Sequence, residues 1–147
     1  MFTYPYPRPA VTVDAIVFRM GKTAPEVLLI RRGHPPFEGM WAAPGGFLDM
    51  EETPEKAVVR ELEEETGING VALFQVHTYG AVNRDPRHRT ISIAYAGMLS
   101  DTGAQAKAGD DAAAAEWHPV GQLPPLAFDH DKIVEDAIAF ARERGWF

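Results

Sequence analysis

Hydrophobic and polar positions alternate in blocks along this chain, and each block has a readable period. An opening arm studded with prolines runs to Pro9 and carries no period. "VTVDAIVF" (Val11 to Phe18) is a β-rich, nearly continuous apolar run, as expected for a strand buried on both faces. After the turn "GKTAP", "EVLLI" (Glu26 to Ile30) predicts a second strand. "RRGHPPFEGMWAAPGG" is a long Gly- and Pro-rich loop that leads to a short extended piece at Phe47 and Leu48. Loops of this length in a compact domain are usually functional. A helix is predicted next, with Thr53 as N-cap, Pro54 at its first position and Gly67 as its stop. "VALFQVHTY" (Val71 to Tyr79) and "TISIAYAGML" (Thr90 to Leu99) predict long strands joined by "GAVNRDPRHR". Asp101 to Ala115 reads as a small-residue, acidic loop, "EWHPV" as a short strand, and Asp129 to Arg144 as an amphipathic closing helix. Strands then helix, twice over, predict a mixed sheet covered by helices, an α/β layered domain.

Composition narrows the function more than the fold. The chain has 147 residues, 46% of them apolar, which is expected to make one domain over residues 1–147 with a real core. A net charge of −7 argues against gripping nucleic acid through its phosphates and against an anionic membrane surface. With no cysteine, neither a disulfide framework nor a thiolate zinc site is possible. The N-terminal residues lack the pattern of a signal peptide, and no run approaches the roughly 20 apolar residues of a membrane span. A soluble, cytoplasmic protein is expected, and a homodimer is left open.

The helix from Pro54 breaks a rule. It gathers Glu61, Glu63, Glu64 and Glu65 into its last two turns, where the macrodipole is negative and like charges three and four apart repel. At about 100° per residue, Glu61, Glu64 and Glu65 fall within an arc of roughly 100°, bordered by Val58 and Leu62. Clustered acids beside a core raise one another's pKa or draw in a counter-ion. Hard oxygen ligands at this spacing suit Mg²⁺ or Mn²⁺. Arg60 lies next to Glu64 on the helical wheel and is placed to hold it by a charged hydrogen bond. A solvated, highly charged helix face is the ordinary alternative.

The full spacing decides between them. Gly46, five residues, Glu52, seven residues and then "RELEEETGI" resembles the Nudix box, with Gly46, Glu52, Arg60, Glu61, Leu62, Glu64, Glu65, Gly67 and Ile68 filling all nine specified positions across 23 residues. The resemblance extends from "VDAIVF" and "VLLIRRG" to "EWHPVGQLP", most of the chain. It implies an α/β/α sandwich with a catalytic loop–helix–loop, and a hydrolase that attacks a diphosphate linked to another moiety. It implies metal binding by Glu61, Glu64 and Glu65 with a main-chain carbonyl at Gly45 or Gly46, and one of these glutamates helping to activate water. Arg60 then orients a glutamate, Glu52 pairs within the loop, and Gly46 and Gly67 shape the box. In this family a distal loop often adds an acid, for which Asp111 is the first candidate, ahead of Asp110, and Glu116 the second.

Substrate residues rest on less. The loop "NRDPRHRT" supplies Arg84, Arg87 and Arg89, and arginine forks suit phosphates. "RRGHPPFEGMWAAPGGF", "YGAVNRDPRHRTISIAY" and "LAFDH" resemble the branch that holds ADP-ribose pyrophosphatases and NAD-related regulators. Those regulators carry a further DNA-binding domain, which is not expected here. Phe37, Tyr79 and Phe128 are candidates to stack on a base, though each also suits a core or lid, and Trp41 suits packing. His34, His88 and His130 lie in or near loops without an assigned role. The reading is a Mg²⁺- or Mn²⁺-dependent pyrophosphohydrolase acting on a small nucleotide, ADP-ribose first, to give AMP and ribose 5-phosphate. The alternatives are a MutT-type nucleoside triphosphate pyrophosphohydrolase, a non-catalytic nucleotide-sensing domain, and an acidic protein that merely buffers Ca²⁺, which would explain neither Arg60 nor the flanking glycines.

Overall fold

The structure is a computed structural model, and it describes residues 2–100, 105–109 and 112–147. Its elements are β1 (Ala10–Met20), β2 (Pro25–Arg32), β3 (Trp41–Ala42), β4 (Gly45–Phe47), α1 (Pro54–Thr66), β5 (Phe74–Tyr79), β6 (Thr90–Met98), β7 (Ala112–Pro119) and α2 (His130–Glu143). The strands form one mixed sheet in the order β3-β2-β1-β6-β5, with β4 paired to β1 and β7 to β2. β1 is its axis. It runs parallel to β6 from Ala10↔Thr90 to Phe18↔Met98, antiparallel to β2 at its far end (Phe18↔Val27), and antiparallel to β4 at its near end (Val13↔Gly46, Asp14↔Gly45).

The apolar run of β1 reads as continuous because both faces are covered. Val13, Ala15 and Val17 face α1, where they pack with Ala57, Val58 and Leu62. Ile16 and Phe18 face α2, packing with Ile133, Val134 and Ala137. Burying each Val, Leu, Ile or Phe among them stabilises the fold by about 1.5–3 kcal/mol. The expected α/β/α sandwich is therefore the observed fold.

α1 begins and ends as its residues predict. Thr53 Oγ1 accepts the Lys56 N–H (3.2 Å), Pro54 opens the first turn, and Gly67 at φ 74° closes the last by donating to the Glu63 carbonyl (2.8 Å). No basic residue lies in that last turn to balance the acids. Two local expectations are corrected. Ala112 to Ala115 belong to β7 rather than to an acidic loop, because pairing with β2 extends the strand through small residues that have little β-propensity of their own. Trp41 and Ala42, inside the expected loop, form a short strand on the edge of β2 (Ile30↔Ala42).

Candidate active site

A cavity of about 420 Å³ opens where β1, the segment from Ala43 to Phe47, α1, the end of β2, the loop after β5 and the start of α2 converge. Its walls carry opposite charge.

On one wall α1 presents Glu61 and Glu65. Backbone runs close to both. A Cβ on Gly45 would stand 2.2 Å from the Val13 carbonyl oxygen, so only glycine fits there, and one on Gly46 would stand 2.5 Å from the Glu61 carboxyl carbon and push that side chain aside. Glu65 Oε2 accepts the Gly45 N–H (3.3 Å). Arg60 ties the set together. It donates through Nε and Nη2 to Glu52 (3.0 and 2.6 Å), through Nη1 to Glu61 (2.9 Å) and Glu64 (3.1 Å), and through Nη2 to the Phe47 carbonyl (3.3 Å). Glu52 also accepts the Asp49 N–H (2.9 Å), so it spans loop and helix. These bonds, led by that to Arg60, pull its carboxyl down to about 2. Glu61 moves the other way: burial pushes its pKa up against the opposing pull of Arg60.

Part of what holds the crowded acids together is thus local. Arg60 alone bridges Glu52, Glu61 and Glu64 in the protein chain itself. Glu64 lies outside the cavity with its side chain 58% exposed, joined to the set through Arg60. Among the described residues no three acidic or histidine side chains converge as a ready metal site. The donors nevertheless fit a hard divalent cation. Two carboxylates and a glycine backbone with no Cβ share one wall, and burial disfavours the charged form of Glu61.

The facing wall carries three guanidiniums. Arg84 is spent on Asp129 in a two-pronged ion pair (2.9 and 2.7 Å), with its side chain 4% exposed. Arg87 pairs with Asp85 (3.1 and 2.7 Å) and remains 36% exposed. Arg32, at the end of β2, donates to the Pro36 carbonyl (2.7 Å) and lies over the Phe128 ring, 4.9 Å from its centroid. Between the walls lies a polar floor. Asp14, 4% exposed, accepts from Ser92 Oγ, and His130 Nε2 stands 3.6 Å from its other oxygen. His130 Nδ1 accepts the Ala43 N–H (3.0 Å), which fixes the chain entering Gly45 and Gly46.

The structure thus places Glu61, Glu65, Gly46, Arg84 and Arg87 around one cavity, while Arg60 and Glu52 support it from behind. It moves Tyr79 elsewhere: 8% exposed, the ring is core, and its hydroxyl donates to Asp136 on α2 (2.7 Å). The base-stacking expectation for Tyr79 is therefore corrected. Phe37 also lies off the cavity, edge-on to Phe128 (4.8 Å), which does line it. Glu116 projects from β7 with its side chain 61% exposed and outside the cavity lining, whereas Asp110 and Asp111 lie outside the described residues. Sequence reasoning missed Arg32, Asp14, Asp85 and Asp129, and gave no role to His130. Only Asp14 left a signal, as the single charge within the apolar run of β1.

A profile of the NUDIX domain family matches residues 8–137, and the chain belongs to that family. It is 46% identical over 131 residues to the ADP-ribose pyrophosphatase of Methanocaldococcus jannaschii, covering 89% of this chain and 74% of that protein. It is 33% identical over 138 residues to the ADPR responsive transcriptional repressor NtrR of Acinetobacter baylyi, covering 91% of this chain but 55% of the repressor. Its fold matches that of the NUDIX domain of Shewanella oneidensis NrtR, solved with ADP ribose, at a TM-score of 0.86 and 32% identity, covering 97% of this chain and 93% of that one.

Proposed function

We propose that this chain is a divalent-metal-dependent pyrophosphohydrolase that converts ADP-ribose and water to AMP and ribose 5-phosphate. One observation carries the reading: two box carboxylates and the Gly46 backbone share a cavity wall opposite guanidiniums, in a chain 46% identical to an ADP-ribose pyrophosphatase. The oxygen of water adds to one phosphorus, the bond from that phosphorus to the bridging oxygen breaks, and the bridge leaves on the other phosphate. Each product is a phosphate monoester, and the protons lost by water pass to a carboxylate and then to solvent.

Glu61, Glu64 and Glu65, with the Gly46 carbonyl, are the residues assigned to hold Mg²⁺ or Mn²⁺. Such an ion neutralises the diphosphate and acidifies bound water. Arg60 positions Glu61 by a 2.9 Å hydrogen bond and keeps Glu52 ionised behind it. The assignment requires Glu64 to turn from Arg60 toward the cavity, which its exposure allows. The His130 bond to the Ala43 N–H holds the incoming backbone so that Gly45 and Gly46 pass close to Glu65 and Glu61. Asp111 is kept as the distal base on the reading of the sequence. The net charge of −7 supports a small anionic substrate taken through a cation over a nucleic acid.

The test is a substrate panel with Mg²⁺ and Mn²⁺, scored by product identity. AMP and ribose 5-phosphate should form from ADP-ribose, stop with excess chelator and resume on adding either ion. Turnover of nucleoside triphosphates with none of ADP-ribose would replace this reading by the MutT-type one.

A further inference from the structure

Asp14 is the single charge in the apolar run of β1, and no step of the proposed reaction uses it. It is buried, 4% exposed, on the floor of the cavity. A carboxylate is costly to bury unless it is paired and hydrogen-bonded. Asp14 has three polar neighbours. Ser92 Oγ, fully buried on β6, donates to its Oδ2, and His130 Nε2 stands 3.6 Å from its Oδ1. Asp14 is also among the acids whose charge acts on Arg84. Gly45, opposite it on β4, leaves it room: a Cβ there would stand 2.5 Å from Asp14 Oδ1.

His130 links this buried charge to the box. Of the two residues between β3 and β4, Pro44 has no N–H, so Ala43 carries the only donor, and it goes to His130 Nδ1 (3.0 Å). A ring nitrogen that accepts carries no proton, so the proton of the ring sits on Nε2, the nitrogen beside Asp14. The 3.6 Å separation is longer than a hydrogen bond, and the carboxylate acts on that N–H through its charge. Both neighbours therefore favour the same tautomer. The segment that delivers His130 is itself pinned. The Ala127 N–H donates to the Trp41 carbonyl (2.8 Å), and Phe128 takes φ 53°, which a bulky residue adopts only where its surroundings demand it. Beyond Ala43, the Pro44 carbonyl accepts the Ala15 N–H (2.8 Å) and the Gly45 N–H reaches Glu65 Oε2 (3.3 Å). His130 thus seats the first peptide of a backbone whose next residues touch the carboxylates of α1.

We propose that Asp14 and His130 are a positioning pair for the acidic side of the cavity. Asp14 keeps the His130 proton on Nε2, the bare Nδ1 seats the Ala43 N–H, and the Gly45–Gly46 backbone is thereby fixed against Glu65 and Glu61. This deepens the pyrophosphohydrolase reading and rests on it for the cation and the substrate, but the tautomer is testable in the protein alone. Loss of a partner that orients a metal site from behind typically costs about 10- to 100-fold in metal affinity or activity.

The experiment compares the wild type with three variants. In His130→Asn the amide oxygen can still accept the Ala43 N–H in place of Nδ1; in His130→Gln the longer amide reaches toward Asp14 instead; Asp14→Leu removes the carboxylate. Proton–nitrogen NMR spectra of the ring, in chelator at mildly alkaline pH, read the tautomer. Calorimetric titration of Mn²⁺ without substrate reads the acidic side, and thermal unfolding reads the fold. The wild type should show His130 in the Nε2–H form alone, and Asp14→Leu a mixture of the two forms. His130→Gln should weaken Mn²⁺ binding about 10- to 100-fold, and His130→Asn by less than about tenfold. At saturating Mn²⁺, kcat for ADP-ribose should fall in the same order. An Nδ1–H form in the wild type, equal Mn²⁺ affinity in the two His130 variants, or the Nε2–H form alone in Asp14→Leu overturns the pair. So does a lowered Tm with Mn²⁺ affinity unaltered, which would make His130 a structural residue only. Should Asp14→Leu fail to fold, Asp14→Asn decides, because its amide lacks the charge: an unaltered tautomer with unaltered Mn²⁺ affinity overturns the pair. The expected tautomers and order of Mn²⁺ affinity without ADP-ribose hydrolysis would support the pair and remove the substrate assignment.

Discussion

The two charged walls of the cavity are neutralised by opposite strategies. On α1 a single guanidinium, Arg60, bridges Glu52, Glu61 and Glu64 and lies 3.6 Å from Asp49, one cation for four carboxylates. In the facing loop the arginines come matched, Arg84 with Asp129 and Arg87 with Asp85. A rigid helix with an unbalanced C-terminal end concentrates charge that its own residues cannot satisfy, and that excess is what a divalent cation answers. A loop can bend each arginine onto its own acid, which builds shape more than charge. Arg32 is the exception on its wall: its Nε goes to a main-chain carbonyl, and among the described residues it forms no ion pair.

Breaking the acidic wall should have the largest effect. Glu61→Gln is expected to lower kcat/KM by at least about 10²-fold, with metal affinity falling alongside. Its thermal unfolding in chelator should not fall, since the substitution removes a half-buried charge whose ionised form burial already disfavours. A variant that unfolds yet keeps its specific activity would show the acid to be structural. Gly46→Ala comes next. Its methyl would meet the Glu61 carboxyl carbon at 2.5 Å, and the end of a flexible side chain can yield. Stability should change by about 1 kcal/mol, while the displaced carboxylate costs turnover about 10²-fold. Unchanged kcat would mean that Glu61 need not sit where it does.

The matched wall should fail in stability instead. Arg84→Ala removes a nearly buried guanidinium and its two-pronged bond to Asp129, and should lower the denaturant-unfolding free energy by about 1.5–3 kcal/mol. Arg87→Ala leaves the Asp85 carboxylate, 3% exposed, without its guanidinium and should lose a similar amount, about 1.5–3 kcal/mol. No loss in either variant would contradict the reading of these pairs as structural. Smaller still, Tyr79→Phe removes one bond to Asp136 and should lose about 0.5–1.5 kcal/mol with KM unchanged. A raised KM would return Tyr79 to the substrate site.

The smallest effect is the pH dependence of Glu52. Its folded pKa lies near 2, below the ordinary 4.5, so its stabilising contribution is present above about 4.5 and fades as pH falls toward 2. Glu61, raised by burial, has the opposite sign: it disfavours the fold increasingly as pH rises through its ordinary value toward its folded one. Acid titration of stability should therefore flatten between about 4.5 and 2 in Glu52→Gln. An identical slope would remove Glu52 from the network.

Much of this was legible in the chain. Thr53, Pro54 and Gly67 act within one turn of their own positions, so the limits of α1 follow from local chemistry. The apolar runs of β1 and β6 and the spacing from Gly46 to Ile68 likewise carry the sandwich and the acidic helix face, because period and spacing survive whatever the chain packs against. Partnerships across long separations were not legible. Arg84 meets Asp129 across 45 positions, Ala43 meets His130 across 87, and Asp14 meets Ser92 across 78. An arginine in a loop reads the same whether its fork is spent or open, so the sequence named Arg84 and passed over Arg32. Tyr79 was as plausible at a cavity as in a core until α2 closed over it. Which charges answer one another, and which remain for a ligand, depends on where the sheet brings distant loops together, and only the tertiary structure decides that.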